Sequence, residues 1–168
     1  MQRPFHHRDH TGAFLFDLDG TLVDSEKHTL ETVERVLVAH GVQSPDLALD
    51  HVAGRTWASI AEVLRQRHHL DIPVTSLATE LASHWSQRIQ EGVAALPGAV
   101  AFVRAVAATT PVALVTGSEP DDVDHILEQI GLDEVLPREV RICAGTYRRG
   151  KPDPEPFLLA ARRLGVDI

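Results

Sequence analysis

Apolar and polar positions alternate along the chain in a pattern that predicts short buried strands separated by amphipathic helices. An apolar run over residues 13–17 predicts the first strand, and a helix follows from about Ser25 to His40. Between Gly41 and about Gly92 the periodicity is helical, in TWASIAEVLRQRHH and again in TSLATELASHWSQRIQ. This all-helical block interrupts an otherwise regular alternation of strands and helices.

The alternation resumes after the segment ALPGA. The pattern predicts a helix over 100–108, a buried strand over 111–116, a helix capped by Ser118 or Glu119 that stops at Gly131, a strand over 139–144 and a helix that closes at Gly165. Strands that alternate with helices imply a parallel sheet covered on both faces. The predicted fold is therefore α/β, with a core formed by 1–24 and 93–168 and an inserted helical cap at 25–92.

The composition excludes several classes of partner. The net charge of the 168-residue chain is -8 at pH 7, and both nucleic acids and membrane surfaces require a basic face. No apolar run approaches the roughly 20 residues of a transmembrane helix, and no apolar signal core precedes Gly12. The single cysteine, Cys143, permits no internal disulfide. We therefore expect a cytoplasmic protein that binds neither nucleic acid nor membrane and holds any anionic ligand locally.

Two aspartates follow the first predicted strand, in FLFDLDGTLVDS. Residues i and i+2 of an extended chain project to the same side, so Asp17 and Asp19 can face one ligand. Carboxylates at the end of a buried strand are costly to desolvate unless a charge or a hydrogen bond meets them. The pair therefore indicates either a metal site or a reaction that uses both acids.

Further polar groups follow the next two predicted strands. Thr116 ends the second strand and is followed by Gly117 and a helix start, which can present a hydroxyl and backbone N–H groups to an anion. Lys151 supplies a cation in the proline-rich segment GKPDPEP after the third strand. Ligands of open parallel sheets bind beyond the carboxyl ends of the strands. These residues together predict a phosphoryl-transfer site.

Each group has a chemical role that suits this reaction. An ionised Asp17 can attack phosphorus to form an aspartyl phosphate, and Asp19 can serve as acid and base. Lys151 and Thr116 can stabilise charge on the transferred group. Mg²⁺ is the hard cation that carboxylate and phosphate oxygens favour.

The motifs DLDGTLVDSE, LVTGS and GKPDPEPF, in this order, closely resemble the haloacid dehalogenase superfamily, in its branch of beta-phosphoglucomutase-like and phosphoglycolate-phosphatase-like hydrolases. The resemblance covers about residues 13–166. It implies a Rossmann-like core with a helical cap inserted after the first motif. It also implies that Asp17 is the nucleophile and a magnesium ligand, and that Asp19 is the acid/base and binds magnesium through its backbone carbonyl. Thr116 and Lys151 would bind the transferring phosphoryl group.

The segment VAGRTW resembles the Gly-x-Arg substrate loop of the family's cap and nominates Arg55 for substrate binding. The alternative is that Arg55 is a solvated residue at a helix start. Family members that have such a cap often carry a histidine at the position that Thr29 occupies in this chain, where His28 is the preceding residue. This departure favours simple hydrolysis over a phosphosugar mutase reaction.

A second departure lies at the end of the sequence. Family members continue past RRLGVDI into a strand that carries acidic magnesium ligands, and this sequence stops before it. We expect a chain ending there to leave its first strand at a sheet edge, which favours self-association, and to bind Mg²⁺ weakly. Asp121 and Asp122 could replace the acidic ligands, but at a helix N-terminus we expect them to stabilise the helix dipole.

Two hypotheses follow. The first is a magnesium-dependent phosphatase of small phosphorylated metabolites, and the second is a truncated or non-catalytic relative that acts as a binding or interaction module. Acid dehalogenation on the same fold is disfavoured, because it has no use for Asp19 as a leaving-group acid. The choice of metabolite depends on the shape of the cap.

Overall fold

The computed structural model describes residues 12–43 and 56–166. The chain divides into two compact units, Met1–Leu22 with Ala95–Ile168, and Val23–Ala94. The sequence pattern predicted a division between core and cap at 24/25 and 92/93. The described residues form three strands and six α-helices. The strands are β1 (Phe14–Phe16), β2 (Val112–Val115) and β3 (Arg141–Ile142), and the helices are α1 (Glu26–Ala39), α2 (Trp57–Arg67), α3 (Val74–Gln90), α4 (Ala99–Ala107), α5 (Pro120–Ile130) and α6 (Glu155–Leu164).

The first unit contains a parallel sheet in the order β1-β2-β3. Phe16 is paired with Leu114 across β1 and β2, and Val115 is paired with Ile142 across β2 and β3. All four residues of β2, the central strand, are buried. The parallel α/β prediction is confirmed, with helices between successive strands.

The third strand is shorter than the prediction of 139–144. Residues Arg138–Val140 form a 3₁₀ turn, and only Arg141–Ile142 pair with β2. The Val140 amide donates to the Pro137 carbonyl at 3.0 Å, so this hydrogen bond closes the turn instead of extending the ladder.

A buried charge explains why a strand can begin with arginine. Arg141 is only 7% exposed. Its guanidinium forms an ion pair with Asp124 and donates to the carbonyl groups of Leu136 and Asp133. A buried guanidinium with its donors occupied avoids most of the penalty of an unpaired charge, and here it ties β3 to α5.

Helix ends in the first unit follow the predicted stop signals. Gly131 and Gly165 cap α5 and α6 in left-handed conformations, with φ of 69° and 67°. At the start of α5, Glu119 occupies the cap position without a side-chain cap hydrogen bond, and Pro120 is the first helical residue. Of the two predicted cap residues, Ser118 is therefore not the cap; its hydroxyl makes a different contact, described below.

The second unit consists of α1, α2 and α3 around one apolar core. The residues of this core are buried and recur at helical spacing: Val33, Val36, Leu37, Ile60, Ala61, Leu64, Leu77 and Leu81. Trp57 and Trp85 add a tilted ring pair with centroids 5.9 Å apart. Within the described ranges, none of the helices is both long and apolar enough to cross a membrane.

Candidate active site

The first feature of the site is a charge pair between the end of β1 and the loop that joins β3 to α6. Asp17 follows the last residue of β1, and the ammonium of Lys151 lies 2.6 Å from its Oδ1. The same ammonium donates to the carbonyl of Val115, the last residue of β2, at 3.3 Å. Both side chains keep access to solvent, with 39% of Asp17 and 31% of Lys151 exposed. A ligand can therefore reach the pair.

A second cluster surrounds Asp19. The Ser118 hydroxyl donates to Asp19 Oδ2, and Thr116 Oγ1 lies 3.4 Å from the same oxygen. Thr116 Oγ1 also lies 3.1 Å from Ser118 Oγ and accepts the Ser118 amide at 3.1 Å. Asp19 Oδ1 is buried and has no hydrogen-bond partner among the described residues. One oxygen of the carboxylate is thus held by hydroxyl groups, while the other is buried without a hydrogen-bond partner among the described residues.

The local fold explains why both aspartates reach the site. Leu18, between them, is fully buried and anchors the chain in the core. The Leu18 carbonyl then accepts the amides of Thr21 and Leu22, at 3.2 and 2.8 Å, which closes a turn through Gly20 with φ 71°. A side chain at this φ would be strained, which accounts for the glycine.

Gly117 follows the buried Thr116 and is exposed. Apart from its chain neighbours, the described atom nearest to a Cβ at Gly117 would be Tyr147 Oη, at an ordinary contact distance of 4.0 Å. Crowding within the described residues therefore does not account for this glycine. The missing side chain leaves room for a ligand to approach the backbone N–H of Gly117.

The loop that carries Lys151 is held by an acidic residue of α6. The Glu155 carboxylate accepts the amides of Arg148 at 2.9 Å and of Arg149 at 3.1 Å. The hydrogen bond from the Arg148 amide is the largest cause that holds the pKa of Glu155 below its usual value of 4.5. An ionised Glu155 therefore organises the backbone just before Lys151.

Two further titratable groups lie near this loop. The Tyr147 hydroxyl donates to the Thr116 carbonyl at 3.1 Å, and burial raises the pKa of Tyr147 above 10.0. Burial also raises the pKa of Cys143 to about 11. Since the thiolate is the nucleophilic form, a Cys143 thiol with this pKa is a poor nucleophile at neutral pH.

The family resemblance implies a magnesium ion, which requires hard oxygen donors at the site. The part of the chain that the structure describes contains no group of three or more histidine, cysteine, aspartate or glutamate side chains placed to hold a metal. Mg²⁺ in phosphate enzymes is commonly held by one or two carboxylates, several waters and the substrate phosphate. The partly exposed Asp17 carboxylate is a hard oxygen donor that fits such an ion, and the backbone carbonyl of Asp19, which the family resemblance nominates, is an oxygen of the same kind.

The structure brings together four of the residues nominated from sequence, namely Asp17, Asp19, Thr116 and Lys151, with Gly117 beside them. Arg55 lies outside the described residues. Asp121 and Asp122 lie in the first turn of α5, where carboxylates interact favourably with the helix dipole.

Sequence reasoning missed the site contacts of Ser118 and Tyr147. The signal for Ser118 was its position two residues after Thr116, in TGS, which a cap role also explains. The signal for Tyr147 was weaker, since it is simply the one tyrosine of the sequence, four residues before Lys151.

Comparisons with known proteins agree on one family. A family model described as haloacid dehalogenase-like hydrolase matches residues 11–168. Hexitol phosphatase A of Escherichia coli (strain K12) is 36% identical, over 92% of this chain and 69% of that protein. Fructose-1-phosphate phosphatase YqaB of the same strain is 29% identical, over 92% of this chain and 80% of that protein. Among solved structures, a HAD family hydrolase from Deinococcus radiodurans R1, with bound phosphate and sodium, is similar with a TM-score of 0.65 and 30% identity, over 92% of this chain and 67% of that one.

Proposed function

This chain belongs to the haloacid dehalogenase-like hydrolase family as a phosphohydrolase, and we propose that it hydrolyses phosphate monoesters of small sugars or sugar alcohols through an aspartyl phosphate. The observation that carries the proposal is the convergence of an Asp17–Lys151 pair and an Asp19–Thr116–Ser118 cluster at adjoining strand ends. The names of the two Escherichia coli relatives support the substrate class.

In the first half of the reaction, a carboxylate oxygen of Asp17 attacks phosphorus and the bond from phosphorus to the ester oxygen breaks. Asp19 donates a proton to that departing oxygen, so the sugar leaves as a neutral alcohol. Thr116 and the Gly117 amide donate hydrogen bonds to the phosphoryl oxygens, and the Lys151 ammonium offsets their charge.

In the second half, Asp19 accepts a proton from a water molecule as the water oxygen attacks phosphorus. The bond between phosphorus and Asp17 then breaks, which releases inorganic phosphate and restores both carboxyl groups. Ser118 holds Asp19 Oδ2, so the same carboxyl group stays oriented for both proton transfers.

Magnesium is the proposed cofactor, held by the Asp17 carboxylate and the Asp19 backbone carbonyl. When bound, the ion neutralises phosphate charge and thereby reduces the repulsion between the substrate and Asp17. The Arg55 side chain is proposed to contribute to substrate selection, on the strength of the family resemblance in VAGRTW.

The proposal is tested by measuring inorganic phosphate released from fructose 1-phosphate, hexitol phosphates and an aryl phosphate, each with Mg²⁺ and with a chelator. We expect turnover that requires Mg²⁺ and that is faster on the sugar or hexitol esters. Magnesium-independent release, or binding of phosphate esters without any release, would contradict the proposal; the second result would favour the binding-module hypothesis.

A further inference from the structure

The segment between β3 and α6 is attached to the end of β2 through successive carbonyl groups. The Val115 carbonyl accepts the Lys151 ammonium at 3.3 Å, and the next carbonyl, of Thr116, accepts the Tyr147 hydroxyl at 3.1 Å. The Ala144 amide adds a backbone hydrogen bond to the Ser118 carbonyl at 3.0 Å. The loops after β2 and β3 are therefore joined directly beside the site.

The ring of Tyr147 lies against the backbone that precedes Lys151. A Cβ placed on Gly150 would come within 3.2 Å of Tyr147 Cε2 and 3.8 Å of its hydroxyl oxygen. The absent side chain at Gly150 is what lets the ring approach this closely. One residue thus contacts both loops, through its ring on one side and its hydroxyl on the other.

The contact at Thr116 has a consequence for the proposed phosphate donor. The carbonyl of Thr116 and the N–H of Gly117 belong to one planar peptide group, so an interaction that orients the carbonyl also orients the N–H. Glycine on the carboxyl side leaves this peptide plane with more rotational freedom than another residue would. The Tyr147 hydroxyl restrains that rotation from the carbonyl side.

We propose that Tyr147 is a positioning residue, which aims the Gly117 N–H at the transferring phosphoryl group by holding the Thr116 carbonyl. This inference rests on the proposed function, in which the Gly117 amide donates to that group. Tyr147 itself does not touch the reacting atoms. Orientation of the Thr116–Gly117 peptide group requires the Tyr147 hydroxyl, and the ring alone is not sufficient.

The deciding variant is Tyr147→Phe, which keeps the ring against Gly150 and removes only the hydroxyl. Loss of one oxyanion donor costs about 10²–10³ in kcat, and a donor that is misdirected instead of deleted should cost less. We expect kcat to fall about 10-fold while KM changes by less than about twofold, because the amide is aimed at the charge that develops in the transition state.

Thr146→Val is the matched control. The Thr146 hydroxyl donates to the Cys143 carbonyl at 2.6 Å, so this variant also removes a hydroxyl-to-carbonyl bond from the same loop, but one that does not end on Thr116. We expect its kcat to stay within about twofold of the wild type. An equal fall of kcat in both variants would mean that kcat depends only on the general stability of the loop, and would overturn the positioning role.

The ¹⁵N order parameter of the Gly117 amide, measured by NMR relaxation on the full chain, gives a readout that does not depend on turnover. This order parameter should be lower in Tyr147→Phe than in the wild type, because the peptide plane loses a restraint, and unchanged in Thr146→Val. An unchanged order parameter in Tyr147→Phe would overturn the inference, whatever the kcat of that variant. A wild-type chain that releases no phosphate would instead refute the proposed function, and the order parameters would still decide whether Tyr147 restrains this peptide group.

Discussion

The Lys151 ammonium lies 2.6 Å from Asp17 Oδ1 although 134 residues separate the two in sequence. The fold makes this possible because both residues follow strands of one parallel sheet, whose carboxyl ends share an edge. In the proposed reaction, the Lys151 cation offsets the charge of the Asp17 nucleophile and then the charge that develops on the phosphoryl group.

Lys151→Ala should lower kcat/KM by an amount equivalent to about 2–4 kcal/mol of transition-state stabilisation, because the ammonium would be lost where phosphoryl charge develops. Steady-state kinetics with a sugar phosphate measure this effect. Lys27→Ala is the control, since Lys27 is the other lysine of the chain and is 74% exposed in α1. A fall of less than tenfold for Lys151→Ala would count against its role.

Asp17→Asn should abolish turnover, because an amide cannot form the phosphoenzyme intermediate. The fold should persist, since the side chain is 39% exposed and a pair of this kind contributes at most about 1 kcal/mol to stability. Thermal unfolding and phosphate release are measured on the same sample. Glu128→Gln, an exposed change on α5, is the control for loss of one acidic charge; wild-type turnover in a folded Asp17→Asn protein would refute the nucleophile assignment.

Ser118→Ala should lower kcat on the order of 10-fold with little change in KM, because Asp19 would lose a donor that orients its Oδ2, whereas substrate contacts would stay. Ser118→Thr restores a hydroxyl and should recover most of the rate. If alanine and threonine at this position behave alike, the hydroxyl does not orient Asp19.

Protonation of Glu155 should loosen the loop before Lys151. Its pKa is held below 4.5 in the folded chain, chiefly by the Arg148 amide, so its ionised form contributes stability that is present above pH 4.5 and lost as the pH falls through the folded pKa. An NMR titration of the Glu155 carboxyl should give a midpoint below 4.5. In Glu155→Gln, the amides of Arg148 and Arg149 should lose the pH-dependent shifts that the wild type shows in the same range; identical shifts in both proteins would contradict this interpretation.

Local sequence patterns predicted much of the fold because their physical causes are local. Gly131 and Gly165 stop helices through a backbone conformation that glycine adopts without strain. The third strand was overpredicted, because apolar residues in EVRICA suit a strand and a 3₁₀ turn equally until pairing with β2 selects Arg141–Ile142.

By itself, the sequence determined the family, the parallel α/β order and the acids, hydroxyl and lysine of the site, because motif order and periodicity are properties of the chain. Only the tertiary structure decided which of these groups meet. Ser118, a candidate helix cap from sequence, donates a hydrogen bond to Asp19, 99 residues away. Tyr147 donates a hydrogen bond to the Thr116 carbonyl, 31 residues away. Such contacts depend on where separate loops converge at the sheet edge, and the local propensities of the chain do not encode the spatial distance between two loops.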